Sequence, residues 1–518
     1  MSDRCKRGAE LSATEIVTSR AHWRATAFAT ALGAALTVLS GGAAASAAPP
    51  TAASAADRTS IRPGFEFRTP DPAEISRLFV RLSHGGQPGC AVGVRHAGEL
   101  LHTSAYGLAD VTTNIPLSTD SVFNVASVSK QFTAFAVLLL AQRGSLALDD
   151  RVTKYLPELA PSAGEVTLRD LLHHVGGLRD YMALLELQGR RYTEGSTQAE
   201  AIALLARQKG VNASPGTAFE YSNTGYTLLA EVVQRVAGMP LASFMASNVF
   251  GPLGMRRTSI VDRYPAKIDK LARGHAPSGR SYRIEESGWE QLGDGQVYTT
   301  VEDLTRWSQN LRTGEVGGPD VIAALLEPGV LSSGESTRYA AGFYVREYRG
   351  RRVFRHSGEW IGYVAQMLWF PESQLAISVL CNRTDAKPWT LAETIADLYL
   401  PPIPGAPRAE PSDTASPAPK RGVPAKVTLA ELQALEGSYL SDEANARCHV
   451  RLEGKQLVLD VCADALPLLP LGANRFASAA GQTSATFLAE DGVVSRLIYS
   501  APGLRELRFE RRADGARP

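Results

Sequence analysis

The chain has 518 residues, a formal net charge of +1 at pH 7 and 44% hydrophobic residues. This composition is typical of globular proteins, and the length is sufficient for two or more domains. The near-zero net charge gives no electrostatic basis for binding nucleic acid, so we expect no nucleic-acid partner.

The N-terminal segment has the pattern of an export signal. Arg20 and Arg24 precede an apolar run that ends at Leu39, and small residues follow around Ala45-Ser46-Ala47. The apolar run is too short to span a bilayer comfortably, although a retained anchor is the alternative. We therefore expect a signal peptide over residues 1–47, a disordered lead-in over 48–69, and a periplasmic or secreted protein without a stable membrane span after signal removal.

A serine and a lysine lie three residues apart in an apolar segment. After a predicted helix over 71–83 and a hairpin over 88–107, a helix is predicted to begin near Ser127 and to end before Gly144. Ser127 and Lys130 would share one face of this helix. A lysine whose pKa is lowered by burial can activate a serine nucleophile. On this tetrad alone, a lysine that extends from a buried helix end remains the alternative.

The middle of the chain is predicted to be mostly helical. His173 and His174 end a short helix, and we expect them to pack and hydrogen-bond rather than to catalyse. Tyr221-Ser-Asn223 follows a Pro-Gly turn, where a phenol can reach into a cleft; a buried structural tyrosine is the alternative. Strands are predicted between residues 339 and 382, before a closing helix. The result is an α/β sandwich whose antiparallel sheet is assembled from both ends of the domain.

Composition divides the chain into further segments. We expect one domain over residues 70–402, a proline-rich linker over 403–427, and a second domain over 428–513. Short strands at regular spacing predict that the second domain is a small antiparallel β-barrel that folds independently. No catalytic constellation is recognisable in it.

Cysteine usage supports export, because the mature chain keeps an even number of cysteines. Cys448 and Cys462 lie at equal distances from Lys455, where a hairpin turn is predicted, so a cross-strand disulfide is geometrically reasonable. No cluster of histidine and cysteine with metal-ligand spacing accompanies them. We therefore expect no metal and no cofactor, and the oligomeric state is left open.

Four stretches together resemble the serine β-lactamase-like hydrolases. They are Ser127-Val-Ser-Lys130, Tyr221-Ser-Asn223, the loop and helix over 293–304, and His356-Ser357-Gly358. Class C β-lactamases, D-alanyl-D-alanine carboxypeptidases, D-aminopeptidases and esterases share this fold. The resemblance implies an antiparallel sheet flanked by helices plus an all-helical subdomain. The tail resembles the lipocalin-like domain that often follows such hydrolases.

The resemblance also implies roles for individual residues in acyl transfer. Ser127 would attack a carbonyl, and Lys130 and Tyr221 would share the work of general base and acid. Asn223 would orient the lysine and the substrate amide, with His356, Ser357 and Gly358 lining the site. The backbone N–H groups of Ser127 and Glu359 would form the oxyanion hole. The strands that carry Cys90 and Cys381 are neighbours in this fold, so a second disulfide is expected there.

One departure bears on the substrate, which is expected to be a small molecule or a short peptide. Penicillin-recognising relatives have a lysine at the position of His356, whereas the D-aminopeptidase and esterase branches have a histidine there, as this chain does. Arg355 should face the other side of the sheet, and it and Arg383 are the candidate replacements for the missing charge. We expect hydrolysis of esters or D-amino-acid-containing peptides. The alternatives are a β-lactamase or D-alanyl-D-alanine carboxypeptidase, and a catalytically silent sensor of peptidoglycan or lactams.

Overall fold

A computed structural model of the chain describes residues 67–83, 86–264, 267–403, 405, 426–461, 464–472 and 474–512. The expected signal peptide, the lead-in up to residue 66, most of the expected linker, and Cys462 lie outside the described residues. No single helix in the described part of the chain is both long and apolar enough to cross a membrane. Two consecutive helices that together pass this test by length and composition are bent by 75°.

A sheet of seven described strands forms the centre of the larger domain. Its order is β10-β11-β12-β13-β14-β1-β2, with small separate sheets formed by the remaining strands. In chain order the strands are β1 (Cys90–His96), β2 (Glu99–Tyr106), β3 (Leu108–Asp110), β4 (Ile115–Pro116), β5 (Phe123–Asn124), β6 (Ser259–Ile260), β7 (His275–Ser278), β8 (Ser281–Ile284), β9 (Val297–Thr299), β10 (Tyr339–Ala340), β11 (Phe343–Tyr348), β12 (Arg351–Trp360), β13 (Tyr363–Phe370) and β14 (Leu375–Cys381).

The central sheet joins the two ends of the domain, as the sequence predicts. The first strand, β1, pairs antiparallel with the last, β14, and Cys90 lies opposite Cys381. These two cysteines form a disulfide with an S–S distance of 2.06 Å. All residues of β13 and β14 are buried, because helices cover both faces of the sheet. The antiparallel sheet flanked by helices confirms the predicted fold class.

The helices cover the sheet and build a helical subdomain beside it. In chain order they are α1 (Pro72–Ser83), α2 (Lys130–Gln142), α3 (Ala160–Ala163), α4 (Leu168–Leu172), α5 (Tyr181–Leu187), α6 (Gln198–Ala206), α7 (Asn223–Ala237), α8 (Leu241–Met245), α9 (Val301–Thr313), α10 (Gly318–Leu326), α11 (Pro388–Tyr399) and α12 (Leu429–Ala434). Short 3-10 turns cover Ala126–Ser129, Val152–Lys154 and Pro157–Leu159, and a π-turn covers Ala246–Phe250. Helix α2 is buried from Lys130 to Leu140, because its apolar residues leave no polar face for water.

The C-terminal part of the chain is a closed antiparallel barrel of eight described strands. They are β15 (Gly437–Ser441), β16 (Ala446–Glu453), β17 (Gln456–Val461), β18 (Asp464–Pro470), β19 (Arg475–Ser478), β20 (Ser484–Glu490), β21 (Val493–Ala501) and β22 (Leu504–Arg512). Closure removes the exposed strand edges that an open sheet would leave. The predicted barrel is therefore confirmed.

The register of the hairpin between β16 and β17 differs slightly from the prediction. Glu453 pairs with Gln456, so the turn is the pair Gly454-Lys455 rather than a turn centred on Lys455. Cys448 consequently lies opposite Val461, one residue before the predicted partner. Because Cys462 is outside the described residues, a disulfide between Cys448 and Cys462 stays a prediction.

Candidate active site

Ser127 lies in a tight turn between β5 and α2. Contrary to the prediction, the α-helix begins at Lys130, and Ser127 lies in a 3-10 turn over Ala126–Ser129. The turn requires a left-handed conformation at Ala126, whose φ is 48°, a state that costs a non-glycine residue about 1–3 kcal/mol. Asn124 Oδ1 accepts a hydrogen bond from the Ala126 N–H at 2.7 Å and stabilises the turn. No role for Asn124 was predictable from the sequence motifs.

Lys130 points from the first turn of α2 back to Ser127. Its Nζ atom donates to Ser127 Oγ at 3.1 Å, to Asn223 Oδ1 at 2.9 Å and to the Asp294 carbonyl oxygen at 3.0 Å. The side chain is fully buried. Burial lowers the pKa of Lys130 to about 8, although the charges of Asp294 and Asp180 act in the opposite direction. A substantial fraction of this lysine is therefore neutral at mildly alkaline pH, when it can accept a proton.

Tyr221 approaches Ser127 from the loop that precedes α7. Burial raises the pKa of Tyr221 well above its usual range, and a hydrogen bond with Ser127 counteracts part of this effect. Lys130 Nζ lies 4.9 Å from the centre of the Tyr221 ring. The Ser127, Lys130 and Tyr221 side chains thus form one small cluster, in which Lys130 is fully buried and Ser127 and Tyr221 are partly exposed. The tyrosine therefore keeps its proton at neutral pH, whereas burial makes it easier for the lysine to lose its proton.

Asn223 is held by both its backbone and its side chain. It is the first residue of α7, and its N–H donates to Asp180 Oδ2 at 2.7 Å. Asp180 is buried, and burial raises its pKa. Because the backbone is fixed in this way, the Asn223 side chain can present its oxygen to Lys130.

Asp294 is a further residue of the site, for which the sequence motifs predicted no role. Its carboxylate accepts hydrogen bonds from Tyr181 at 2.9 Å and from Thr227 at 3.1 Å. Burial raises the pKa of Asp294 to about 6, and the positive charge of Lys130 opposes this rise. The preceding Gly293 has a φ of 98°, and a Cβ atom there would lie 2.2 Å from the Tyr226 carbonyl oxygen. Glycine therefore lets this loop approach α7 and reach Lys130.

Strand β12 forms the opposite wall of the site. Its Gly358 lies against the turn before Ser127, where a Cβ atom would be 2.1 Å from the Val125 carbonyl oxygen. This close approach brings the next residue, Glu359, towards the turn that carries Ser127, as an oxyanion-hole role for its N–H requires. Burial raises the pKa of the Glu359 carboxyl.

His356 lies on the same face of β12 as Gly358 and is 2% exposed. Its Nδ1 atom lies 2.6 Å from the Ser357 carbonyl oxygen, and its Nε2 atom lies 3.2 Å from the Tyr339 hydroxyl. A carbonyl oxygen only accepts, so Nδ1 donates and Nε2 can accept from Tyr339. This pattern suits a neutral imidazole.

The other predicted residues take mainly structural positions. Arg355 faces away from His356, as expected, and pairs with Glu393 of α11 at 2.9 Å. Arg383 pairs with Asp385 at 2.7 Å. Neither arginine therefore points its charge at the cluster around Lys130.

The two neighbouring histidines pack and hydrogen-bond. His173 Nδ1 lies 3.3 Å from the Tyr339 carbonyl oxygen, and His174 Nδ1 accepts from the Ser222 N–H at 3.1 Å. The ring of His174 lies 4.4 Å from that of Tyr221, measured between centroids. Burial lowers the pKa of His174 well below its usual value, so this ring adds no charge beside Lys130. Among the described residues, no group of three or more His, Cys, Asp or Glu side chains could hold a metal ion.

The chain is similar to a known protein family and to individual members of related enzyme groups. The family model described as Beta-lactamase matches residues 75–399. The chain is 29% identical over 441 residues to penicillin-binding protein 4* of Bacillus subtilis, which covers 82% of this chain and 96% of that protein. It is also 29% identical over 297 residues to a D-aminopeptidase of Cereibacter sphaeroides. That match covers 57% of each protein.

Two solved structures with the same fold cover different shares of this chain. The octameric penicillin-binding protein homologue from Pyrococcus abyssi superimposes with a TM-score of 0.58 and 21% identity, covering 85% of this chain and 99% of that one. The D-amino acid amidase from Ochrobactrum anthropi superimposes with a TM-score of 0.51 and 23% identity, covering 63% of this chain and 95% of that one. Because both sequence identities are below 25%, these two structures show similarity of fold alone.

Proposed function

Because the chain belongs to the Beta-lactamase family and is a serine hydrolase that acts by acyl transfer, we propose that it is exported and hydrolyses esters or D-amino-acid-containing peptides. The observation that carries the catalytic part is the hydrogen bond between Lys130 Nζ and Ser127 Oγ, in a site where the lysine is fully buried. The similarity to a D-aminopeptidase supports the substrate class. A disulfide between Cys90 and Cys381 supports export to an oxidising compartment.

Acylation begins with proton transfer from Ser127 to neutral Lys130. The Ser127 oxygen forms a bond to the substrate carbonyl carbon, and the carbonyl oxygen becomes an oxyanion held by the backbone N–H groups of Ser127 and Glu359. Tyr221 then gives its proton to the leaving amine or alkoxide as the carbonyl–leaving-group bond breaks. The proton on Lys130 returns to Tyr221, so the net transfer is one proton from serine to leaving group.

Deacylation uses the same groups with water in place of serine. Lys130 takes a proton from a water molecule, and the hydroxide attacks the acyl carbon. The bond to Ser127 Oγ breaks, and Ser127 recovers a proton through Tyr221 and Lys130. We assign the base to Lys130 because burial lowers its pKa to about 8, whereas burial moves the pKa of Tyr221 upward.

The β12 wall supports a preference for substrates without a carboxylate near the scissile bond. The wall presents buried His356 in the hydrogen-bonding pattern of a neutral imidazole, so it offers little Coulombic attraction to an anion. Arg355 and Arg383 are paired with carboxylates elsewhere. Neutral esters and peptides with a free amine therefore fit this wall better than β-lactams.

A second candidate function is the binding and acylation of penicillins. The match to penicillin-binding protein 4* is the observation that favours it, since that match covers 82% of this chain. It extends over more residues than the match to the D-aminopeptidase.

A substrate panel tests the proposal. The purified full chain and its Ser127→Ala variant would be assayed with a nitrophenyl ester, a D-alanine nitroanilide, an L-alanine nitroanilide and a chromogenic cephalosporin. We expect Ser127-dependent turnover of the ester or the D-alanine compound, with the L-alanine compound and the cephalosporin slower. Turnover confined to the cephalosporin would favour the second candidate, and turnover that survives in Ser127→Ala would contradict the assignment.

A further inference from the structure

The barrel contacts the hydrolase domain close to the candidate active site. The tip between β21 and β22 inserts against the segment before α5. The Gly503 carbonyl oxygen accepts from the Asp180 N–H at 2.9 Å and from Asn212 Nδ2 at 3.0 Å. The Arg505 N–H donates to Asn212 Oδ1 at 2.7 Å. These bonds join residues that are about three hundred positions apart in the chain.

A buried ion pair reinforces this interface. Arg179 Nη1 and Glu443 Oε2 are 2.7 Å apart, and their side chains are 3% and 9% exposed. Arg179 Nη1 also donates to Gln208 Oε1 at 2.9 Å, and its Nη2 atom contacts two carbonyl oxygens of the barrel, at 3.3 and 3.4 Å. A buried guanidinium requires such partners, because a charge removed from water without compensation is strongly destabilising.

The segment that Arg179 anchors also holds the start of α7. Thr224 Oγ1 donates to the Arg179 carbonyl oxygen at 2.8 Å and accepts from the Tyr181 N–H at 2.8 Å. Asp180 Oδ2 accepts from the Asn223 N–H at 2.7 Å. The contacts therefore run without a gap from Glu443 of the barrel, through Arg179 and Asp180, to Asn223 beside Lys130.

A second contact reaches the other side of the same loop. Arg505 of the barrel forms an ion pair with Glu220, the residue directly before Tyr221. Arg505 is 48% exposed and Glu220 is 17% exposed, so this pair lies at the rim of the interface. The barrel thus holds the segment that carries Tyr221 and Asn223 from two directions.

We propose that Arg179 is a positioning residue through which the barrel holds the Tyr221 and Asn223 side chains in position beside Lys130. The inference rests on the proposed function, since it concerns the same proton-transfer groups. It changes the interpretation of the tail, which the sequence presents as an independent appendage. The barrel is instead part of the support of the active site, and its loss would loosen the loop before α7.

The test uses the full chain and a Glu443→Gln variant, which keeps the side-chain shape and removes its charge. We expect kcat for a nitrophenyl ester to fall by about tenfold or more while KM stays within about twofold, because positioning affects the chemical step. Glu443→Asp, which keeps the charge, should retain more turnover than Glu443→Gln.

Two control variants separate positioning from general destabilisation. Arg207→Ala removes a bond to the Asp442 carbonyl oxygen at the same interface but away from the loop. Val450→Ala destabilises the barrel core, where Val450 is fully buried. Both should keep kcat near the wild-type value when assayed below their melting temperatures. An equal loss of kcat in Val450→Ala and Glu443→Gln, at matched stability, would overturn the proposal.

A charge exchange at the rim provides a second test that does not disturb the buried pair. Arg505→Glu should lower kcat by about fivefold, and Arg505→Glu combined with Glu220→Arg should restore most of it, since the double variant re-forms the pair. Wild-type kcat in both Glu443→Gln and Arg505→Glu would overturn the inference while leaving the proposed function intact. A wild-type chain without ester turnover or serine labelling would overturn the proposed function itself.

Discussion

The two walls of the cleft differ in where they place charge. The wall formed by α2, α7 and the loop at Asp294 encloses the side chains of Lys130, Asp180 and Asp294, all of them buried. The β12 wall presents His356 packed against Tyr339 and Tyr344, with ring centroids 5.9 and 5.5 Å away. The side with Lys130 thus holds a lysine and two aspartates, whereas the facing side is lined by aromatic rings around His356, with the Glu359 carboxyl further along β12.

Because of this difference, we expect one wall to determine the rate of the chemical step and the other to determine which substrate is preferred. Burial of Lys130 makes its proton affinity sensitive to each neighbouring charge, because water does not screen the interaction there. Around His356, the β12 wall offers shape and hydrogen bonds rather than a charged group. Changes on the charged wall should therefore alter the rate and its pH dependence, whereas changes on the β12 wall should alter the choice of substrate.

The largest effect is expected from Lys130→Ala. Removing the general base should lower kcat for the nitrophenyl ester by about 10²–10⁴-fold, and combining it with Ser127→Ala should add little, because the two groups act as a unit. Steady-state assays of the variants would measure this, with exposed Lys154→Ala as the matched control. Turnover within about tenfold of wild type in Lys130→Ala would place the base elsewhere.

Tyr221→Phe should produce the next largest effect, and it should depend on the leaving group. The variant keeps the ring but loses the proton donor, so a poor amine leaving group suffers more than nitrophenolate. We expect amide turnover to fall by about 10²-fold or more and ester turnover to fall less. Tyr344→Phe, which alters a neighbouring ring of the β12 wall, is the control. Equal losses for amide and ester would argue against Tyr221 as the donor.

The sequence was sufficient to predict contacts between residues that lie close together in the chain or belong to a known motif. Ser127 and Lys130 lie three positions apart near the start of α2, and their contact was predictable from that spacing. The strand order with β1 beside β14 came from the resemblance. The left-handed turn at Ala126 was not foreseen, since nothing local distinguishes this alanine before Asn124 is seen to bond to it.

Long-range packing explains what the sequence could not reveal. The carboxylate of Asp294 acquires its role from Tyr181 and Thr227, which lie more than sixty residues away. The ion pair between Arg179 and Glu443 spans 264 positions. An aspartate between two glycines, as at Gly293-Asp294-Gly295, was the one local signal available, and it indicates a constrained loop without saying what the loop contacts.

A smaller effect, on pH dependence, is expected from Asp294→Asn. The carboxylate of Asp294 stabilises the charged lysine and so raises the pKa of Lys130. Lys130 must be neutral to act, so wild-type kcat/KM should rise with pH through about 8, the pKa of that lysine. Loss of the carboxylate should move this rise to lower pH.

The other groups around Lys130 do not replace this charge. Asp180 remains and acts in the same direction as Asp294, and His174, Tyr221 and Tyr226 are held neutral by burial. The measurement is a pH profile of kcat/KM for the ester in wild type, Asp294→Asn and the exposed control Asp149→Asn. A profile that is unchanged or moves to higher pH in Asp294→Asn would contradict the assigned coupling.

The smallest effect is expected on the β12 wall, from His356→Lys. A positive charge there should raise the ratio of cephalosporin to ester acylation by about fivefold at neutral pH, which corresponds to ~1 kcal/mol from one charge contact. Arg355→Lys, on the opposite face of the same strand, should leave the ratio unchanged. A ratio that does not move in His356→Lys would show that another feature excludes β-lactams.

The central claim is that Ser127 is the nucleophile, and covalent labelling tests it most directly. The full chain would be treated with a fluorophosphonate, digested, and mapped by mass spectrometry, with Ser127→Ala and a Ser129→Ala variant in parallel. We expect one phosphonylated peptide that carries the label at Ser127, and this peptide should be kept in Ser129→Ala and lost in Ser127→Ala. Labelling of another serine, or undiminished labelling of Ser127→Ala, would contradict it.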